Sequence, residues 1–131
     1  MQNTIIMKFG GTSVGSADAL KNCTQIIRNA KKDWNRVVVV TSAMSGVTNL
    51  LLDSAASASH GKVDSLSETE ATLREKHFAV AAALIKDESL REQTKAEIDT
   101  LIQSLVDLCK AIAVLGEASP RAMDAVASLG E

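Results

Sequence analysis

Two short segments hold most of the residues whose types and spacing could do chemistry. Lys8-Phe9-Gly10-Gly11-Thr12-Ser13-Val14-Gly15-Ser16 joins an ammonium, three glycines and three hydroxyls in nine residues. Glycines let backbone N–H groups approach a ligand closely, and a helix N-terminus adds partial positive charge. Lys8 adds a full one, so the segment suits an anion. The P-loop pattern fails here. Gly10 and Gly15 have its spacing, but Ser16-Ala17 stand where Lys-Ser/Thr is required. The dinucleotide pattern G-x-G-x-x-G fails as well. A plain strand-to-helix turn without a ligand is the competing reading.

The second segment is Thr41-Ser42-Ala43-Met44-Ser45-Gly46-Val47-Thr48-Asn49. It follows an apolar strand and precedes a helix. In open α/β sheets ligands bind outside the carboxyl ends of parallel strands. On neighbouring strands the two loops are therefore expected to share one crevice lined with hydroxyls, backbone amides and Lys8. One of Ser42, Ser45 and Thr48 is also expected to cap the helix that follows.

Other reactive side chains carry less. His60 stands beside a glycine and His77 lies within a helical stretch, both isolated, so cap or surface roles are expected. Cys23 and Cys109 have no metal-ligand spacing and fall on apolar helical positions, which predicts buried free thiols. No metal site is expected. Arg121 and Asp124, three apart, read as a surface pair. Trp34 and Met44 read as packing residues.

The positioning elements follow from periodicity. Thr4–Phe9 is a short apolar strand. Ser16 is expected to cap a helix carrying Leu20, Cys23, Ile27 and Ala30, with Lys31 and Lys32 at its end. Arg36–Ser42 contains four consecutive valines, which predicts a strand covered on both faces. Strand, helix and strand together make a βαβ unit. A helix through Val47, Leu50, Leu51 and Ala55 ends at His60-Gly61. Two capping boxes, Ser67 with Glu70 and Ser89 with Glu92, predict an antiparallel pair of long helices. Gly116 stops the second, and Ser119-Pro120 starts a last helix. About two strands against about five helices is lopsided, since sheets usually have four to six strands. The expectation is a chain whose sheet is completed by further strands, from the same gene product or from another chain.

Composition narrows the class. The 131 residues give one domain's worth of length and predict a single core. The apolar fraction of 46% and the charged fraction of 23% are ordinary for a globular domain. Aromatics are 2% and the formal net charge is -2, which argues against a nucleic-acid partner. No apolar run reaches the ~18 residues of a membrane span, and no secretory signal is visible, so a cytoplasmic location is expected. The Asn22-Cys23-Thr24 glycosylation pattern is discounted with it.

Three segments together resemble the aspartate kinases of the amino acid kinase family. They are Lys8–Val14 (KFGGTSV), Val40–Leu51 (VTSAMSGVTNLL) and Ser119–Glu131 (SPRAMDAVASLGE). The resemblance implies an α/β fold, the N-terminal part of an αβα sandwich with a mainly parallel sheet, helix-rich in this chain. Residues 1–131 would be the amino-acid-substrate part of the domain, with the nucleotide lobe and regulatory domains lying outside it. The implied reaction moves the γ-phosphoryl of ATP, accompanied by Mg2+, to the side-chain carboxylate of L-aspartate. That step opens lysine, threonine, methionine and isoleucine synthesis. On this resemblance Lys8 offsets charge on the phosphoryl, with Gly10, Gly11 and Ser13 as further phosphate donors. Ser42 and Thr48 hydrogen-bond the amino acid, and Glu131 pairs with its α-ammonium. The chain alone is expected to be inactive, and a homo-oligomer or an association with the remainder of the domain is expected. The alternatives are a non-catalytic assembly segment, or a sibling kinase acting on another acid.

Overall fold

The computed structural model describes residues 2–131. Contacts divide the chain into two compact units, the first ending at Ser45 and the second spanning Gly46–Glu131. Length and composition predicted one core. Instead the βαβ segment and the helical segment each close on their own contacts.

The first unit contains β1 (Gln2–Phe9), a 3-10 turn (Gly11–Val14), α1 (Ala17–Asp33) and β2 (Trp34–Thr41). The strands pair in parallel, with Ile5 opposite Val37, Lys8 opposite Val40 and Phe9 opposite Thr41. The Ser16 side chain caps α1 by accepting from the Ala19 N–H at 3.2 Å. Asp18 in the first turn and Lys31 and Lys32 in the last complement the helix dipole. Along β1 the side chains alternate: Ile5, Met7 and Phe9 are half-buried, whereas Ile6 and Lys8 are exposed. Phe9 lines a cavity with Ala19, Cys23 and Ile26 of α1. That face of β1 therefore meets α1, and Lys8 stands on the opposite face.

The valine strand departs from expectation. Val38, Val39 and Val40 are 40–45% exposed, where both faces were expected to be covered. The reason is geometric. Among the described residues the sheet has two strands, and within this unit one helix packs on one face.

The second unit is helical: α2 (Val47–Ser59), α3 (Leu66–Leu84), α4 (Glu88–Leu115) and α5 (Pro120–Ser128). Val47, Leu51, Ala55 and Ala58 form the buried stripe of α2, and Leu105, Cys109 and Val126 are completely enclosed. As the sequence predicts, α3 and α4 make a hairpin. Arg74 of α3 bridges it, with Glu70 at 3.1 Å and Asp99 of α4 at 2.6 Å. Hydrogen bonds to Asp99 and then Glu70 hold the guanidinium above its ordinary range.

Neither expected capping box forms. α3 begins at Leu66 after Ser65, whose side chain makes no cap bond, so Ser67 lies inside the first turn. In α4 the cap is Asp87, accepting from the Leu90 N–H at 2.7 Å, and Ser89 again lies inside the helix. Helix ends are set by where the backbone leaves helical geometry, and each helix starts before the serine that the spacing favoured. Gly116 does stop α4, in the left-handed conformation at φ 73°. Ser119 caps α5 with Pro120 in its first turn. Both cysteines are free and buried. No helix among the described residues is long and apolar enough to cross a membrane.

Candidate functional site

The first unit brings the two loops together at the carboxyl ends of its parallel strands. β1 runs into Gly10 and the 3-10 turn. β2 runs into Ser42, whose N–H donates to the Phe9 carbonyl at 3.2 Å and so carries the pairing one residue past the strands. The loops then touch. A Cβ built on Gly15 would lie 3.0 Å from the Ser45 Cβ and 3.0 Å from the Gly11 carbonyl oxygen, and one on Gly11 would lie 3.4 Å from the Ala43 carbonyl oxygen. Glycine at 15 permits this approach because any side chain there would push on Ser45 or on the backbone of Gly11.

The glycine turn is internally organised. The Ser13 N–H donates to the Gly10 carbonyl at 2.9 Å. The Ser13 carbonyl accepts from the buried Cys23 thiol of α1 at 3.1 Å. Gly10 is open, with nothing within 4 Å of an added Cβ. Thr12 and Ser13 are exposed, and Lys8 is exposed on the sheet face away from α1. Lys8 does not line the cavity of about 230 Å³ beneath the turn, which belongs to Phe9, Ser13 and α1.

In the second loop Ser42 is half-buried and its hydroxyl donates to the Ala43 carbonyl at 3.1 Å. None of Ser42, Ser45 and Thr48 caps α2. The N-cap is Gly46 at φ 81°, with no side-chain hydrogen bond. The chain enters α2 through a left-handed residue, which glycine adopts freely, and that glycine occupies the place a capping hydroxyl would need.

In the second unit Glu131 and Val47 line one cavity of about 190 Å³. This brings Glu131 to the first turn of α2, which also carries Thr48. Glu131 is exposed and Thr48 half-buried. His77 lines the same cavity, and its Nδ1 lies 2.7 Å from the Leu73 carbonyl oxygen. Among the described residues no group of three or more His, Cys, Asp or Glu side chains converges as a metal site.

The structure therefore joins the Gly10–Gly15 turn to the Ser42–Ser45 loop in one unit, and in the other places Glu131 at a cavity it shares with Val47, the residue before Thr48. Sequence reasoning missed three features: the tie from Cys23 to Ser13, the capping role of Asp87, and the apolar cavity reached by His77 and Glu131. Asp87 alone had a visible signal, as an acid three residues before Leu90. The other two depend on elements far apart in the chain.

The chain as a whole is similar to known proteins. The model of the amino acid kinase family matches residues 3–131. The bifunctional aspartokinase/homoserine dehydrogenase 2, chloroplastic, of Arabidopsis thaliana is 35% identical over 126 residues, which are 96% of this chain and 13% of that protein. Lysine-sensitive aspartokinase 3 of Escherichia coli (strain K12) is 33% identical over 131 residues, 100% of this chain and 26% of that one. The crystal structure of E. coli aspartokinase III in complex with aspartate and ADP is similar with a TM-score of 0.76 at 31% identity, again over 100% of this chain and 26% of that one. Its complex with lysine and aspartate gives a TM-score of 0.77 at 30% identity, over 99% and 26%. The chain thus spans only 13% to 26% of the length of these relatives.

Proposed function

This chain belongs to the amino acid kinase family, and we propose that it forms the amino-acid-substrate part of an aspartate kinase. The whole protein would transfer the γ-phosphoryl of ATP to the side-chain carboxylate of L-aspartate, giving 4-phospho-L-aspartate. An oxygen of that carboxylate bonds to the γ-phosphorus as the bond from phosphorus to the bridging oxygen breaks, and ADP leaves with the electron pair. The observation that carries the reading is the meeting of the glycine turn and the Ser42–Ser45 loop beyond the carboxyl ends of paired parallel strands.

The reaction brings two anions together, so the protein's work is positioning and charge neutralisation. Lys8 supplies a full positive charge to the transferring group. Gly10, Gly11 and Ser13 supply backbone and hydroxyl donors to the phosphates, and the open space around Gly10 suits a close guest. Ser42 and Thr48 hydrogen-bond the amino acid. Glu131 pairs with the α-ammonium and so disfavours dicarboxylates that lack one. Magnesium would accompany the nucleotide and would offset phosphate charge there. We place the protein in the cytoplasm, although some relatives are chloroplastic by name. The chain functions with the remainder of its domain or in a homo-oligomer.

The test is hydroxylamine trapping of the acyl phosphate, with ATP and L-aspartate, on the longest protein that contains this chain. Aspartate is expected to be the preferred acceptor over glutamate and succinate. Lys8→Met is expected to lower kcat by about 100-fold or more, the scale of losing one electrostatic stabiliser. Glu131→Gln raises the KM for aspartate. Equal use of succinate, or an unchanged rate in Lys8→Met, overturns the assignment. The 131-residue chain alone is expected to give no turnover.

A non-catalytic assembly role is the second reading. Val114 at 87% exposure and Leu115 at 73%, together at the end of α4, favour it. Sedimentation of Val114→Lys with Leu115→Lys tests it, since an association through this end would be lost.

A further inference from the structure

The turn that follows β1 is held unevenly. Val14, at its end, is buried. Gly10, at its start, has nothing within 4 Å of an added Cβ, and Thr12 and Ser13 are exposed. Beneath the turn lies the cavity of about 230 Å³ that Phe9, Ser13, Ala19, Cys23 and Ile26 help to line. A cavity on that side lacks partner atoms, so packing leaves Ser13 room to shift. One hydrogen bond ties Ser13 to α1 there, from the Cys23 thiol to the Ser13 carbonyl oxygen at 3.1 Å. Inside the turn the Ser13 N–H donates to the Gly10 carbonyl at 2.9 Å. The thiol is thereby linked, through the backbone of Ser13, to Gly10 at the open end of the turn.

The direction of that carbonyl matters to an anion. A carbonyl oxygen carries partial negative charge and repels a phosphate, whereas N–H and hydroxyl groups attract one. Bonded to Cys23, the Ser13 carbonyl faces α1. Without a donor at position 23 it would turn to water for a partner, which the exposure of Ser13 allows. We propose that Cys23 is a positioning residue for the phosphates of the nucleotide. It touches no substrate. Its thiol keeps the Ser13 carbonyl on α1, so that the turn offers donors to the anion. The inference rests on the phosphate-binding role proposed for the glycine turn and adds a residue of α1 to it. Donation is the property that acts: a hydroxyl at position 23 keeps it, a methyl loses it, and an isopropyl group fills the space without it.

Titration calorimetry of MgATP against the longest protein that contains this chain tests it, because binding needs no turnover. Cys23→Ala and Cys23→Val are each expected to weaken ATP about fivefold, the worth of one ordinary hydrogen bond. Cys23→Ser is expected to stay within about twofold of the native protein, since its hydroxyl still donates. The Kd for aspartate is expected to change by less than about twofold in all three, as the bond lies in the phosphate turn. Ile27→Ala is the control for packing. Ile27 is half-buried one turn further along α1, so its truncation lowers the melting temperature and leaves the Kd for ATP in place. The inference is overturned if Cys23→Ala binds ATP as tightly as the native protein, or if Cys23→Val binds it as well as Cys23→Ser. It is also overturned if aspartate weakens in step with ATP, or if Ile27→Ala weakens ATP as much as Cys23→Ala. Should Cys23→Val fail to fold, Cys23→Ala against Cys23→Ser decides. A native protein that binds no ATP overturns the phosphate reading together with this one. Native binding with an unchanged Cys23→Ala overturns this inference and leaves the phosphate reading standing.

Discussion

The thiol of Cys23 donates a hydrogen bond to the carbonyl oxygen of Ser13 at 3.1 Å, tying the second turn of α1 to the turn that follows β1. Cys23 is 6% exposed and Ser13 is exposed, so the bond is shielded from water on the cysteine side alone. It reaches across ten residues, and it fixes the backbone of a segment for which we propose phosphate binding.

Cys23→Ala removes the donor and leaves the Ser13 carbonyl without this partner. A loss of about 1 kcal/mol is expected, from the bond and the small void together. Cys23→Ser keeps a donor at nearly the same place and is expected to lose less. Urea denaturation of both variants checks the order. Equal losses would show that volume matters at this position and donation does not.

Gly15 and Gly10 are predicted to behave oppositely. A methyl at 15 would press within 3.0 Å of both the Ser45 Cβ and the Gly11 carbonyl oxygen, so Gly15→Ala pushes the two loops apart. The expected cost is about 1–3 kcal/mol, the range for overpacking. Gly10 has extended backbone at φ -83° and open space around it, so Gly10→Ala is expected to be close to neutral for folding. Melting curves read the difference. Any loss of nucleotide binding in Gly10→Ala then reports on the ligand's approach to the backbone rather than on unfolding.

Asp87 and Ser89 compete for one role, and the structure gives it to Asp87. Asp87→Ala removes the 2.7 Å bond to the Leu90 N–H and is expected to cost about 1 kcal/mol. Ser89 lies exposed in the first turn of α4, so Ser89→Ala is expected to change stability by less than about 0.5 kcal/mol. Equilibrium unfolding of the pair checks it. A larger loss for Ser89→Ala would restore the capping box that the spacing suggested.

Cys109 is completely enclosed, and burial holds its thiol above the ordinary range. Burial favours the protonated form, so the unfolded chain loses this proton at lower pH than the folded one. The contribution to stability is present below the unfolded thiol value and is lost as pH rises through it towards the folded value. Alkylation by iodoacetamide at mildly alkaline pH is expected to spare Cys109 in the native protein and to label it once denaturant is added. Fast native labelling would mean that the α4 core opens readily.

Much of the architecture is local and therefore readable in the chain. The β-branched run of β2, the Ser16 and Ser119 caps and the glycine stop at Gly116 act over one turn or one strand, so their residue types report them directly. The three family segments, Lys8–Val14, Val40–Leu51 and Ser119–Glu131, likewise carry the identification through residue order alone. The starts of α3 and α4 were misplaced because several polar residues in a row can each serve as a cap, and packing of Leu66 and Leu73 into the core selects the register.

What the sequence determined by itself was the βαβ beginning, the helical hairpin and the family, because these follow from short-range periodicity and contiguous motifs. Tertiary structure alone decided the rest. It set the close approach of Gly15 to Ser45, the bond from Cys23 to Ser13, the exposure of Val38 to Val40, and the meeting of His77 with Glu131 at one apolar cavity. Each depends on where separate elements come to rest against one another. That is settled by the burial of whole helix faces, a sum over many side chains that no single stretch of residues contains.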